Sequence, residues 1–261
     1  MNDKNIKIDR EFDLGYQAYQ NKKYKEVIKH FSKVIKLDNN NSAAYNNRGL
    51  AKENLQQYEE AIEDYNKAIE LDNDYSNAYY NRGNSKYDLK IYEEAIKDYD
   101  KAIKLDNNNS MAYNNRGNAK YDLERYEEAI EDYNKAIELD SNYSVAYNNR
   151  GLAKWNLQQY KEAIENFNKA IELDNNYSDA YYNRCNSKYD LERYEEAIED
   201  YNKAIELDNS SDAYNNRGLA KENLQRYEEA IEDYNKAIEL DNNYSMAYYN
   251  RGLAKKKFTT I

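Results

Sequence analysis

The stretch SAAYNNRGLAKENLQQYEEAIEDYNKAIELDNDY, residues Ser42 to Tyr75, decides the fold of this chain. It is 34 residues long, and its further copies begin at Ser76, Ser110, Ser144, Ser178 and Ser211. The copy from Ser178 lacks one residue of its closing loop. A diverged copy covers residues 8–41, and half a copy follows from Ser245. Self-similarity at a fixed period of this size indicates a protein of stacked repeats.

Each copy is expected to form two helices. With Ser42 as position 1, apolar and small residues of the second half recur three or four positions apart: Tyr58, Ala61, Ile62, Tyr65, Ala68 and Ile69. That spacing is typical of a helix and not of a strand. The serine at position 1 is predicted to be the N-cap of the first helix, helix A. One such hairpin cannot bury its apolar side alone, so the copies are expected to stack.

The repeat resembles the tetratricopeptide repeat (TPR) family. That motif has aromatic residues at positions 4, 17 and 24, Gly at 8 and Ala at 20 and 27, and these positions hold Tyr45, Tyr58, Tyr65, Gly49, Ala61 and Ala68. The resemblance covers residues 8–257. The sequence departs from the motif at position 32, where Asn73 stands for proline, and in the sixth repeat, where Cys185 stands for the glycine. Asn still favours a turn.

The resemblance implies an all-α fold: a right-handed α-solenoid of helix-turn-helix TPR units with seven full repeats and a C-terminal capping helix. The predicted boundaries are an N-terminal extension, residues 1–7, a single TPR solenoid, residues 8–257, and a tail, residues 258–261. The repeats cover residues 8–41, 42–75, 76–109, 110–143, 144–177, 178–210 and 211–244, and the capping helix covers residues 245–257.

The composition argues against catalysis. The chain has one histidine, His30, and one cysteine, Cys185, and they lie five repeats apart, so no Cys–His nucleophile is expected. No metal-ligand spacing is present. The seven glycines all occupy position 8 and form no phosphate-binding loop. We therefore expect no enzyme activity, no catalytic residue, no metal and no cofactor.

The charge is distributed unevenly along the chain. The net charge is −11, and because residues 1–41 carry +3 and residues 245–261 carry +4, residues 42–244 carry −18. An acidic body repels phosphates, which disfavours nucleic acid. No apolar run has the length of a membrane span, so a cytoplasmic protein without membrane contact is expected. The two basic ends are either solvated caps or contacts for an acidic partner, and their like charge favours a monomer.

Two positions vary together across the repeats. Position 7 is arginine in repeats 2 to 7, and position 23 is aspartate in all of these except repeat 5, which has Asn166. In repeat 1 both change, to Leu14 and His30. We predict an Arg–Asp pair between helices A and B, repeated along the stack.

The resemblance implies that helices A line a concave face on which ligands lie. Position 6 forms an unbroken asparagine ladder: Asn47, Asn81, Asn115, Asn149, Asn183, Asn216 and Asn250. An amide both donates and accepts hydrogen bonds, so such a ladder can hold a peptide backbone; alternatively, the amides bond within the stack. Position 12 adds the aromatic residues Tyr87, Tyr121, Trp155 and Tyr189, and position 13 adds the acidic residues Asp88, Asp122 and Asp190. The aromatic rings either anchor a ligand or pack between layers.

These features predict a protein–protein interaction scaffold whose concave groove binds an extended, basic peptide segment carrying Lys or Arg. Two alternatives stay open. The chain could be a self-assembling structural repeat protein, or a regulatory module of a catalytic partner chain. The repeat family serves many functions, so the partner and the pathway do not follow from the motif.

Overall fold

The computed structural model describes residues 3–260, and these residues form fifteen α-helices and no strand. Odd-numbered helices are the A helices and even-numbered helices the B helices. Their bounds are α1 Asp3–Gln20, α2 Tyr24–Leu37, α3 Ser42–Glu53, α4 Tyr58–Leu71, α5 Ser76–Asp88, α6 Tyr92–Leu105, α7 Ser110–Asp122, α8 Tyr126–Leu139, α9 Ser144–Asn156, α10 Tyr160–Leu173, α11 Ser178–Asp190, α12 Tyr194–Leu207, α13 Ser211–Asn223, α14 Tyr227–Leu240 and α15 Ser245–Phe258.

The helices fall into two compact units. The first unit runs to Leu139 and contains α1 to α8, and the second unit begins at Asp140 and contains α9 to α15. Within each unit, every helix packs against its neighbours in the chain. The predicted all-α fold of stacked helical hairpins is confirmed. Helix α1 already begins at Asp3, so most of the predicted N-terminal extension is helical, while Met1, Asn2 and Ile261 lie outside the described residues.

Small residues on helix A make room for one buried ring of helix B. Tyr65 of α4 is fully buried, and a methyl group placed on Gly49 of α3 would lie 2.7 Å from its Cε1 atom. The same contact recurs at Gly83 and Tyr99 in the first unit and at Gly218 and Tyr234 in the second. A side chain at Gly49 would therefore require the Tyr65 ring or one of the two helices to shift.

The predicted N-caps were wrong by one residue. Each of the seven serines, from Ser42 to Ser245, is the first helical residue rather than the cap. The preceding side chain caps the helix where its chemistry allows: Asn41 Oδ1 accepts from the Ala44 N–H at 2.9 Å, and Asn109 does the same for Ala112. Four helices follow a tyrosine that makes no such bond. The Ser76 hydroxyl instead donates to the Ala102 carbonyl oxygen at 3.2 Å, which joins helices A and B of the same repeat.

Two kinds of turn hold the hairpins without proline. In the B-to-A loop, the Asp72 carboxylate accepts from the Asp74 N–H at 3.1 Å, and the same local bond forms at Asp106 and Asp174. The A-to-B turn has a non-glycine residue with positive φ at position 15 of every full repeat, for example Gln56 at 60° and Gln158 at 59°. An L-residue pays a steric cost in this region, which glycine would avoid.

Candidate functional site

The predicted Arg–Asp pairs form, and they join helices A and B inside each repeat. Arg48 places Nη2 2.5 Å from Asp64 Oδ1 and Nε 2.8 Å from Oδ2, while Lys52 Nζ lies 2.7 Å from the same carboxylate. Asp64 is only 4% exposed. Equivalent pairs are Arg82–Asp98, Arg116–Asp132, Arg184–Asp200 and Arg217–Asp233. This geometry is the strong, bidentate form of the ion pair.

Each of these arginines also reaches the repeat before it. Arg82 Nη1 donates to Asn66 of α4 at 2.7 Å, and its guanidinium lies 5.4 Å from the centre of the Tyr79 ring. One side chain thus contacts two helices B and an aromatic face. In the fifth repeat the acid is missing: Arg150 Nε donates to Asn166 Oδ1 at 2.6 Å, and burial lowers the pKa of Arg150.

The first repeat carries its charges with the opposite polarity. Glu11 of α1 is the acid, and the basic groups come from α2: His30 Nδ1 lies 2.6 Å from Glu11 Oε2, and Lys33 Nζ lies 3.0 Å from Oε1. Burial raises the pKa of Glu11, but hydrogen bonds from His30 and Lys33 outweigh it and leave the pKa lowered. His30 therefore belongs to a structural pair at this end of the first unit.

The asparagine ladder is joined to the preceding repeat wherever both residues lie in one unit. Asn81 Nδ2 donates to Asn46 Oδ1 at 3.0 Å, and Asn115 Nδ2 donates to Tyr80 Oη at 3.0 Å. Asn183, Asn216 and Asn250 bond in the same way to Asn148, Tyr182 and Asn215. Asn47 donates to Tyr16 Oη. The N–H groups of these six ladder amides therefore bond within the stack, as the alternative interpretation predicted.

The side-chain oxygens of the ladder asparagines alternate between two arrangements, one occupied and one open. Where the preceding repeat offers a tyrosine, the ladder oxygen accepts from its own neighbour, as Asn115 Oδ1 does from Asn114 at 3.2 Å. Where the preceding repeat offers an asparagine, as for Asn81 and Asn183, Oδ1 has no partner within residues 3–260. These oxygens are the part of the ladder that could accept from a peptide N–H.

Positions 12 and 13 also link successive repeats. Tyr87 Oη donates to Asp122 Oδ2 at 2.6 Å, and Trp155 Nε1 donates to Asp190 Oδ2 at 2.7 Å. Tyr189 Oη accepts from Asn223 Nδ2 at 2.9 Å. The rings of Tyr87, Tyr121 and Tyr189 pack at a tilt or edge-on against the position-17 tyrosines of helix B, with 5.3–5.4 Å between ring centres. The aromatic row is thus partly structural, whereas Asp88 forms no hydrogen bond or ion pair within the described residues.

A cleft of about 250 Å³ lies in the first unit at the row of helices A, and we call it the acidic slot. It is lined by Glu53, Asn84, Tyr87, Asp88, Tyr99, Asn115 and Asn118. Glu53 Oε2 accepts from the Tyr65 hydroxyl at 2.8 Å and from the Ser85 hydroxyl at 3.0 Å. Its other oxygen, Oε1, has no partner in residues 3–260. Burial raises the pKa of Glu53, the two hydrogen bonds oppose this, and the charge of Asp88 adds to the rise.

The corresponding glutamate of the seventh repeat has the partner that Glu53 lacks. Glu222 Oε2 accepts from the Tyr234 hydroxyl at 2.9 Å, as Glu53 does from Tyr65. Lys257, at position 13 of α15, places Nζ 2.7 Å from Glu222 Oε1. Position 13 opposite Glu53 is instead Asp88. The contact shows that a lysine ammonium can bind at this glutamate oxygen. In the acidic slot, Asp88 occupies the position of that lysine, so the chain provides a second acid and no cation.

A second cleft, of about 280 Å³, occupies the same repeat positions in the second unit, and we call it the aromatic slot. It is lined by Trp155, Asn186, Tyr189, Asp190, Tyr201, Asn216 and Leu219. Trp155 stands where Glu53 stands in the acidic slot, and Leu219 stands where Asn118 stands. The two clefts therefore share a geometry and differ in chemistry, one acidic and one apolar.

Sequence reasoning missed Glu53, although the sequence contains the signal. Position 12 is glutamate in the two repeats whose position 9 is leucine and whose position 24 is tyrosine, namely Leu50, Glu53 and Tyr65, and Leu219, Glu222 and Tyr234. Where position 9 is asparagine, that amide accepts from the tyrosine, as Asn84 does from Tyr99 at 2.9 Å. Glutamate is thus needed because the buried hydroxyl has no other acceptor.

Models of the repeat family match most of the chain. A model described as TPR repeat matches residues 54–90, 83–123 and 117–158. Models described as tetratricopeptide repeat match residues 144–177, 178–210 and 211–244, and residues 30–63. The chain belongs to the tetratricopeptide repeat family. A comparison with curated protein sequences gave no match.

Solved structures agree with this assignment. MamA is 27% identical over 62% of this chain and 95% of its own, with a TM-score of 0.58. A tetratricopeptide repeat protein from Parabacteroides merdae ATCC 43184 is 18% identical over 95% of this chain and 99% of its own, with a TM-score of 0.70. YrrB, described as a TPR protein with an unusual peptide-binding site, is 23% identical over 85% and 97%, with a TM-score of 0.53.

The family and the fold indicate a scaffold for protein–protein interaction, a class that is in general not catalytic. Within residues 3–260, no group of three or more His, Cys, Asp and Glu side chains is arranged to hold a metal ion. None of the helices described has the length and apolar character needed to span a bilayer.

Proposed function

We propose that the chain is a non-catalytic, cytosolic scaffold that binds an extended protein segment carrying Lys or Arg along the row of helices A. The observation that carries the proposal is the acidic slot. Glu53 Oε1 corresponds to the Glu222 oxygen that holds Lys257 at 2.7 Å, and Asp88 stands next to it without a partner. A cation entering from a ligand would meet the half-buried carboxylate of Glu53, where an ion pair is stronger than on an open surface, and the exposed carboxylate of Asp88 at the mouth of the cleft.

The neighbouring side chains suit an extended backbone. Asn81 and, in the second unit, Asn183 have ladder oxygens without partners that can accept ligand N–H groups. In the second unit, the aromatic slot offers by itself a place for an apolar ligand side chain on Trp155 and Leu219. The asparagine ladder therefore contributes acceptors, the acidic slot selects the charge, and the rings add contact area.

The test is a peptide-display selection on the wild type, on Asp88→Asn and on Asp190→Asn. The two substitutions are matched, because both remove one acid at position 13. Asp190 already accepts from Trp155, whereas Asp88 is unpartnered. We expect enriched peptides to contain Lys or Arg, and to lose about tenfold in affinity for Asp88→Asn but little for Asp190→Asn.

The ladder is tested by the triple variant Asn81→Ala, Asn183→Ala and Asn250→Ala, which removes three ladder oxygens that have no partner among the described residues, with its fold checked by circular dichroism. Loss of the selected peptides from a folded triple variant would support backbone recognition. Failure to enrich any peptide, or enrichment of peptides indifferent to Asp88→Asn, would contradict the proposal. The alternatives of self-assembly and of regulation of a catalytic partner would then come first.

A further inference from the structure

The last helix, α15, exposes the face that other helices A bury against their own helix B. Tyr248 is 45% exposed, Leu253 37% and Phe258 50%, although the corresponding residues of the preceding repeat, Tyr214, Leu219 and Leu224, are half-buried. Within residues 3–260 no helix covers this face of α15. The surface formed by Tyr248, Arg251, Gly252, Lys255 and Phe258 is called the end face here.

The end face contains an empty place for an aromatic ring. A methyl group on Gly218 of α13 would lie 2.7 Å from the Tyr234 ring of its helix B. At Gly252, the equivalent glycine, nothing lies within 4 Å. In the preceding repeat this glycine leaves room for a buried tyrosine ring, whereas at the end face the space beside Gly252 is empty.

The end face also carries two cations without their usual acid. In the preceding repeat, Arg217 Nη2 lies 2.5 Å from Asp233 Oδ1 and Lys221 Nζ lies 2.8 Å from Oδ2. Arg251 is already oriented by Asn235, which accepts from Nη1 at 2.8 Å, and by the Tyr248 ring at 5.2 Å. Its Nε and Nη2 atoms and the Lys255 ammonium have no acceptor among the described residues.

We propose that the end face docks an acidic amphipathic helix of another protein, in the manner of a helix B. The occupant would place an aromatic ring on Gly252 and, one residue before it, an aspartate between Arg251 and Lys255, with alanines at the close approach. Helix α14 contains this pattern as Ala230, Asp233, Tyr234 and Ala237. The charge agrees, because α15 holds four basic residues and no acidic one. The site is separate from the acidic slot.

The probe is a cross-linked helical peptide with the sequence YEEAIEDYNKAIEL, which is that of Tyr227–Leu240. The cross-link is placed on the solvent face, because an isolated helix of this length is marginal in water. A control peptide has the aspartate replaced by asparagine. Binding to the full chain is followed by fluorescence anisotropy and by the amide signals of α15 in NMR spectra.

Lys255→Ala and Lys256→Ala form a matched pair, since both remove one exposed charge from α15. We expect Lys255→Ala and the asparagine peptide each to weaken binding about tenfold, and Lys256→Ala to change it little. Gly252→Leu should abolish binding while keeping the fold, because the site is open and leucine favours a helix. A saturating lysine peptide from the groove selection should not compete.

Three results would overturn the proposal. The first is the absence of binding to the folded wild type. The second is equal binding to Lys255→Ala and Lys256→Ala. The third is a concentration-dependent dimer of the wild type that Gly252→Leu abolishes, which would give the end face to a second copy of this chain.

Discussion

Lys257 and Glu222 form an ion pair between neighbouring helices A, with Nζ 2.7 Å from Oε1. The equivalent pair of positions in the first unit, Asp88 and Glu53, holds two acids. The variant Asp88→Lys should therefore reproduce the Lys257 contact at Glu53 and fill the acidic slot. We expect a higher thermal midpoint, because a repulsion becomes an attraction, and a loss of about tenfold or more in affinity for Lys-containing peptides.

The control for this change is Asp190→Lys, which has no glutamate to meet because Trp155 occupies position 12. It should lose the Trp155 hydrogen bond and gain no stability. An Asp88→Lys variant that binds basic peptides as well as the wild type would show that the ligand cation lies elsewhere.

Glu53 should make the first unit less stable as the pH rises above its ordinary pKa. Burial raises the pKa of Glu53 above its ordinary value of 4.5, so the folded state binds this proton more tightly than the unfolded state. Stability from this group is thus greatest below pH 4.5 and falls as the pH rises through the raised pKa. Glu53→Gln should remove that fall and add up to about 1 kcal/mol at pH 7. Urea titrations at several pH values measure it.

A matched control for that titration is Glu222→Gln, which loses the Lys257 ion pair and should not gain stability at pH 7. If Glu53→Gln shows the same pH dependence as the wild type, Glu53 is not the group that titrates.

Replacing the neutral Asn166 with aspartate should stabilise the protein. Asn166→Asp would give Arg150 and Lys154 the carboxylate that the other repeats provide, and we expect the free energy of unfolding to rise by about 1.5–3 kcal/mol. Asp132→Asn, the reverse change, should lower it by a similar amount, since Arg116 and Lys120 lose their shared partner. Denaturant unfolding measures both, and Asp132→Asn without loss of stability would show that these pairs are energetically neutral.

A second gain in stability is expected at the positive-φ residues of the A-to-B turns. Gln158→Gly should stabilise the second unit by about 0.5–1 kcal/mol, because the relief of the left-handed strain exceeds the added flexibility of the unfolded chain. The neighbouring Gln159 has a φ of −85°, so Gln159→Gly should destabilise it. Thermal melts of the two variants should therefore shift in opposite directions.

Cys185 should not react with thiol reagents in the folded protein. It is fully buried, burial raises its pKa, and its thiol donates to the Tyr181 carbonyl oxygen at 2.9 Å. Reaction with a disulfide reagent should therefore follow local unfolding and accelerate in urea. Rapid labelling without denaturant would mean that the sixth repeat opens easily around its substituted glycine.

The repeat period made the helices and the Arg–Asp pairs predictable. Both follow from spacing within one repeat, since a residue and its partner sixteen positions later recur together, as in Arg82 and Asp98. The helix starts were misplaced because serine is a good cap by type, while the local backbone gives that place to Asn41 or Tyr75.

The site was less predictable because its chemistry depends on neighbouring repeats. Position 6 is asparagine from the second repeat onward, yet its oxygen is occupied or open according to whether the preceding repeat has Tyr80 or Asn46. The importance of Glu53 likewise depends on Leu50, Tyr65 and Asp88 together. These contacts depend on residues of two neighbouring repeats. A consensus sequence of a single repeat does not contain that information.

The contacts between layers have a consequence for how such a chain can change in length. Each uses the same positions in successive repeats, such as Arg82 to Asn66 in the first unit and Arg217 to Asn202 in the second. Four helices B, namely α4, α8, α12 and α14, are identical in sequence. Slippage between such matching segments in the gene would therefore remove or insert one or more whole hairpins, and the newly adjoining surfaces would already be complementary.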